Sequence, residues 1–193
     1  ISTRRSSEKT AMYLAKGFKK RGKTVVMGGA QPSTVPHTFI EYADAVVVGE
    51  AEELWPVLLD DYLNNELKKF YVCSPQPFDA KGESFYQQKS LPDLGNFPVS
   101  FRHLYNRKYT FDVVFASRGC PVSCDFCMVS DIFGKKLRLK PIDKVLEEIN
   151  QFKGFYYLLD DTVFGRPNCY DYYIELYDKI ASKGKPKYWT GQA

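Results

Sequence analysis

Phe111-Asp112-Val113-Val114-Phe115-Ala116 runs without a break into Ser117-Arg118-Gly119-Cys120-Pro121-Val122-Ser123-Cys124-Asp125-Phe126-Cys127. An apolar stretch of this length, closed by glycine and proline, reads as a buried strand emptying into a loop. The loop carries three cysteines as Cys-x3-Cys-x2-Cys, with no fourth cysteine nearby. Three thiolates brought to one point suit a transition metal or an iron–sulfur cluster, and three ligands instead of four leave one position open. Spacing alone admits two further readings. Structural zinc would need a fourth ligand from His103, Cys73 or Cys169, and inert packing thiols would be odd beside glycine and proline.

Downstream of the loop the α/β order continues. Ile142, Val145, Leu146 and Ile149 recur at helical spacing behind Pro141, and Phe155–Leu159 reads as a second strand closed by Asp160-Asp161. Tyr173, Leu176, Tyr177 and Ile180 mark a helix stopped near Gly184, and Lys187–Thr190 reads as a third strand. The many tyrosines of 155–177 fit amphipathic packing better than an exposed stacking surface. Upstream, Ala11, Leu14, Ala15 and Phe18 predict a helix ending at Gly22. Thr24–Met27 is a short strand ending at Gly28-Gly29, and Ala45–Val48 is a second one closed by Gly49. Glu50 and Glu52 open the next helix, whose buried stripe is Leu54, Val57 and Leu58. Apolar strands alternating with amphipathic helices argue a parallel sheet covered by helices, with sites at the carboxyl ends of its strands. Residues 71–108, broken by Pro75, Pro77, Gly82, Pro92, Gly95 and Pro98, read as a linker with short turns.

Composition narrows the class. Lys and Arg number 27 against 23 Asp and Glu, a formal charge of +4 without a basic block long enough to argue for nucleic acid. Lys135, Lys136, Arg138 and Lys140 form only a local patch. No apolar run approaches the roughly 18–20 residues of a membrane span, and the amino end lacks an apolar leader. Five cysteines in 193 residues are not a disulfide scaffold and fit a reducing, cytoplasmic setting. His37 and His103 read as loop histidines rather than ligands. A start without methionine and a stop just after a strand-like run predict a fragment of a longer protein.

Cys120-x3-Cys124-x-Phe126-Cys127, behind a first strand, resembles the signature of the radical S-adenosylmethionine enzymes. The wider run from Ser117 to Arg138, with Phe133-Gly134-Lys135-Lys136, is similar to the subgroup that carries a cobalamin-binding domain. The resemblance implies a 4Fe-4S cluster on Cys120, Cys124 and Cys127, with S-adenosylmethionine on the open iron and Phe126 beside cluster and adenine. It implies reductive cleavage to a 5′-deoxyadenosyl radical, used to modify or methylate an unknown organic substrate. A flavodoxin or ferredoxin would supply the electron. Asp160 and Asp161 match an acidic pair after the second strand, for which a solvated strand end or helix cap is the other reading; read from the residues alone, Arg138 and Lys140 either meet an anionic cofactor or substrate group or simply solvate the loop. Gly28, Gly29, Gly49 and Glu50 match strand-end motifs of cobalamin-binding domains, implying cobalamin in the full-length protein. The Asp-x-His-x2-Gly motif of such domains is nowhere in the chain, and Gln31 stands where many relatives carry histidine.

The fold expected on this basis is α/β. Residues 1–70 form a partial Rossmann-like, cobalamin-binding-type domain, 71–108 a linker, and 109–193 the first βα units of a partial TIM-type barrel. Opposed to the enzyme stand a non-catalytic zinc-binding interaction module and an inactive fragment of the parent enzyme.

Overall fold

The computed structural model describes residues 1–104, 110–122, 124–162, 169–183 and 188–191. The expected helix stop at Gly184, the start of the third strand at Lys187, and Ser123 within the cysteine run lie outside them. The chain divides into two compact units, 1–92 with 131–134, and 93–130 with 135–193.

The first unit is built on a parallel four-stranded sheet in the order β1 (Val26–Met27), β2 (Ala45–Gly49), β3 (Phe70–Cys73), β4 (Phe85–Gln87). Helix α1 (Glu8–Lys20) precedes it, α2 (Ala30–Thr34) and α3 (Pro36–Ile40) join β1 to β2, and α4 (Leu54–Leu63) joins β2 to β3. Central strands β2 and β3 read almost wholly apolar because both faces are covered. Val46, Val48, Phe70 and Val72 pack with Ala11, Ala15 and Phe39 on one face. Ala45, Val47, Tyr71 and Cys73 pack with Leu54 and Leu58 on the other. At roughly 1.5–3 kcal/mol for each large apolar side chain buried, these two layers are the unit's main source of stability.

Two local expectations need revising. Residues 71–108, expected as linker, contribute most of β3 and all of β4. Pro75 and Pro77 sit in the loop between these strands, which makes the parallel crossover without a helix, while Pro92 and Pro98 follow β4. In α1 only Ala11 and Ala15 are buried, whereas Leu14 and Phe18 stay almost half exposed. The expected four-residue stripe shrinks to its two small members, which let α1 lie close to the sheet.

The second unit carries a parallel three-stranded sheet, β5 (Asp112–Val114), β8 (Tyr156–Leu158) and β9 (Trp189–Gly191), in that order. A separate antiparallel pair, β6 (Ser117–Arg118) with β7 (Arg138–Leu139), follows directly from β5. Short α5 (Val129–Phe133) lies between β6 and β7 in sequence. Helix α6 (Ile142–Ile149) starts from Pro141 as its cap residue, with its Val145, Leu146 and Ile149 buried. From α7 (Tyr170–Lys183), Tyr173, Leu176 and Ile180 join them against Val114, Tyr156 and Leu158. The tyrosines thus pack as expected.

The barrel expectation is corrected here. Among the described residues each unit is an α/β layer on a small open parallel sheet of Rossmann-like type, and no strand ladder closes on itself. Past Val114 the chain leaves the β5–β8 ladder for β7 instead of widening the sheet.

Candidate functional site

The best-organised polar centre lies where β5 runs into β6. Leu159 N–H still donates to the Val114 carbonyl at 2.8 Å, the last rung of the ladder. Beyond it the Ala116 and Ser117 N–H groups have left the sheet and need another acceptor. Asp160, 2% exposed, supplies it: its Oδ1 accepts from Ala116 N at 2.6 Å and from Ser117 N at 2.9 Å. Its Oδ2 accepts from the Tyr173 hydroxyl at 2.9 Å, and Tyr173 Oη lies 2.9 Å from Ser117 Oγ. Burial raises the Asp160 carboxyl above its ordinary value, against the lowering effect of these donors. The same burial, with the Asp160 charge beside it, pushes the Tyr173 phenol upward. Next to Asp160, Asp161 Oδ2 accepts from Gly119 N at 3.4 Å, so the acidic pair grips the chain just ahead of Cys120.

A second polar cluster lies beneath α6. Lys140 and Glu148 form a buried ion pair, and Arg102 reaches both Glu148 and Asp112, at 3.4 and 3.2 Å. Ser100 Oγ donates to Glu148 Oε2 at 3.1 Å. Arg118 lies over the rings of Phe97 and Phe115, 4.9 and 4.6 Å from their centroids. Sequence reasoning missed Ser117, Tyr173, Arg102 and Glu148. A Glu on the inner side of a strongly amphipathic helix was the signal that could have found Glu148.

The predicted cysteines occupy a loop with little packing. Cys124 is exposed, Cys120 and Cys127 are half-buried, and Phe126 is 93% exposed. The Cys127 N–H donates to the Cys124 carbonyl at 3.0 Å, closing a turn over Asp125-Phe126. Among the described residues no three His, Cys, Asp or Glu side chains gather into a group that could hold a metal ion. Arg138 sits half-buried on β7.

The glycines expected to face cobalamin are occupied by the chain itself. Ser2 forms a parallel bridge with Gly28, and Thr3 N donates to Gly28 O at 2.9 Å. A Cβ on Gly29, at φ +98°, would lie 2.7 Å from Thr3 O. At Gly49, φ +83°, it would lie 1.8 Å from Cys73 O. Both glycines serve close backbone approach within the unit. Glu50 is buried, and its N–H donates to Cys73 O at 3.2 Å. His37, expected in a loop, sits on α3; its Nε2 meets Asp79 O at 2.9 Å and its ring lies against Phe70 and Phe78.

No protein-family model matches the chain. It is 33% identical over 163 residues to a bacteriochlorophyllide d C-8(2)-methyltransferase of Chlorobaculum tepidum, covering 80% of this chain and 33% of the relative. It is 28% identical over 193 residues to a bacteriochlorophyllide d C-12(1)-methyltransferase of the same organism, covering 95% and 39%. A hopanoid C-2 methylase of Rhodopseudomonas palustris is 25% identical over 147 residues, covering 73% and 26%. The chain thus spans between about a quarter and two fifths of these relatives' lengths.

These names state methyl transfer, and the described cysteines do not assemble a three-thiolate centre. The radical-enzyme reading is corrected on those grounds, together with cleavage of S-adenosylmethionine at a 4Fe-4S cluster. The zinc module is corrected with it, for want of a ligand group. A flavodoxin or ferredoxin partner falls with the cluster that it was to reduce. Cobalamin is likewise not carried forward, because Ser2 and Thr3 lie on the glycines meant to face it. Among the described residues no helix is long and apolar enough to cross a membrane.

Proposed function

We propose that the chain is part of a methyltransferase that takes its methyl group from S-adenosylmethionine and delivers it to an organic acceptor. The observation that carries this reading is the pair of Chlorobaculum methyltransferases, matched over 80% and 95% of the chain. The activity is proposed for a full-length methyltransferase, since the chain spans at most about two fifths of these relatives' length.

S-adenosylmethionine combines a sulfonium cation, an adenosine and an amino-acid end. Parallel α/β sheets take such nucleosides at the carboxyl ends of their strands. In the first unit Ser2 and Thr3 fill the space at Gly28-Gly29 after β1, and the Cys73 carbonyl fills that at Gly49 after β2, so these ends are not offered to the donor. In the second unit the exposed ring of Phe126 offers a stacking face for a planar acceptor. Arg138 offers a cation to an anionic group on that acceptor. Asp160, through Ala116 and Ser117, holds the backbone that carries this loop. A cytoplasmic location accompanies the reading, supported by five cysteines of which none forms a disulfide.

The deciding experiment supplies the full-length protein with S-adenosylmethionine labelled with ¹³C in its methyl group, and with bacteriochlorophyllide d as first acceptor. Transfer of the labelled methyl to an acceptor carbon supports the proposal. A donor that neither binds, by equilibrium dialysis, nor loses its label to any acceptor in a cell extract defeats it.

A further inference from the structure

Cys124-Asp125-Phe126-Cys127 is a four-residue turn closed by the 3.0 Å hydrogen bond from Cys127 N to Cys124 O. A turn of this kind keeps its first and last Cα atoms within about 7 Å. A disulfide needs Cα atoms about 4.4–6.8 Å apart, so this backbone already meets the main geometric demand of a Cys-x-x-Cys bridge. Little packing opposes a small adjustment, since Cys124, Asp125 and Phe126 are all exposed. The two thiols also differ in access: Cys124 is open to solvent while Cys127 is half-buried. The remaining cysteines, Cys73 and Cys169, are buried in the two cores at 1% and 5% exposure, out of reach of a soluble reagent.

We propose that Cys124 and Cys127 form a dithiol–disulfide switch, with Cys124 the entry thiol and Cys127 the resolving one. Oxidised glutathione serves as oxidant. The Cys124 thiolate attacks one glutathione sulfur and its S–S bond breaks. The departing glutathione thiolate takes up a proton, leaving a mixed disulfide on Cys124. The Cys127 thiolate then attacks Cys124 Sγ, releasing the second glutathione. Two protein thiols are oxidised by two electrons, and one glutathione disulfide is reduced to two thiols. Cys120, four residues before Cys124 in sequence, lies outside the turn and stays reduced.

The switch goes beyond the methyl-transfer reading and its test needs no activity. The folded chain is incubated with oxidised glutathione, alkylated under native conditions, digested and mapped by mass spectrometry. The expected result is a Cys124–Cys127 bridge, alkylation at Cys120, and Cys73 and Cys169 unmodified until denaturation. In Cys127→Ser the mixed glutathione disulfide on Cys124 persists instead of resolving, and dithiothreitol restores the free thiol in both proteins. A bridge that uses Cys120, a stable glutathione adduct on Cys124 in the unmutated chain, or three alkylated loop thiols would each overturn the proposal. The buried pair reports folding in every sample, so an unfolded variant is recognised and excluded.

Discussion

Asp160 Oδ2 accepts a 2.9 Å hydrogen bond from the hydroxyl of Tyr173, joining the end of β8 to the buried face of α7. The same carboxylate holds two backbone N–H groups at the end of β5. One side chain therefore ties α7 to the ends of β5 and β8, which are already neighbours in the sheet.

Replacing Asp160 by Ala strands the Ala116 and Ser117 N–H groups in a buried setting. The expected loss is about 2–4 kcal/mol in urea unfolding, because unsatisfied buried donors cost more than a formed bond contributes. Tyr173→Phe should cost less, about 1–2 kcal/mol, since it removes donors and leaves the backbone bonds intact. Equal losses for the two variants would show that Asp160 is not the centre of this network.

Asp160 also gives a signed pH dependence. Its folded-state pKa is raised by burial, so the folded protein binds this proton more tightly than the unfolded chain. The stability it contributes is full below the unfolded carboxyl value of about 4 and declines as pH rises through the higher folded value. Compared with Asp160→Asn, the unmutated protein should therefore lose relative stability as pH is raised from about 4 toward neutrality. Paired denaturation curves across that window test it, and a difference that grows in the opposite direction contradicts the raised value.

Gly49→Ala should be among the most damaging single substitutions. It places a Cβ 1.8 Å from the Cys73 carbonyl at a φ of +83°, and β2 and β3 cannot separate without losing their ladder. We expect a loss of about 3 kcal/mol or more, against about 1–2 kcal/mol for Gly22→Ala. Gly22 also has positive φ, but nothing lies within 4 Å of its added Cβ. The contrast, read from thermal midpoints, separates steric clash from backbone strain.

Tyr156 has the opposite prognosis. Its hydroxyl is buried without a hydrogen-bond partner among the described residues, and burial pushes its phenol up to about 12. Removing that oxygen in Tyr156→Phe should be neutral or stabilising by about 1 kcal/mol, where a satisfied hydroxyl would cost a similar amount. A clear destabilisation would mean that the hydroxyl is satisfied after all.

Lys140 and Glu148 test buried charge directly. Lys140→Met leaves Glu148 in the interior beside Arg102 and Ser100, and should cost about 3–5 kcal/mol. The double variant with Glu148→Leu should recover much of that loss, which a double-mutant cycle measures.

The α/β alternation was legible because buried parallel strands are continuous apolar runs, as Ala45–Val48 and the core of Phe111–Ala116 are. Helix α6 was legible from Pro141 and the spacing of Val145, Leu146 and Ile149. Strand β3 was not, because Pro75 and Pro77 follow it closely and pulled Tyr71–Cys73 into an apparent linker. The exposed Leu14 and Phe18 show a different limit: periodicity places residues on one helical face but does not say how much of that face is covered. At the site, the thiol spacing announced metal chemistry that the folded loop does not assemble among the described residues. The polar centre that is assembled depends on Ser117 and Tyr173, 56 residues apart, which no local pattern couples.

The segment Ile1–Thr3 runs along β1, where its Ser2 bridges Gly28 and Ile1 N donates to Val26 O at 2.6 Å. One rim of the first sheet is thereby capped, while the opposite rim ends in β4, whose Phe85, Tyr86 and Gln87 are all exposed. Sticky strand-to-strand association between molecules should thus begin at β4, and a charge or proline there is the remedy for a preparation that clumps.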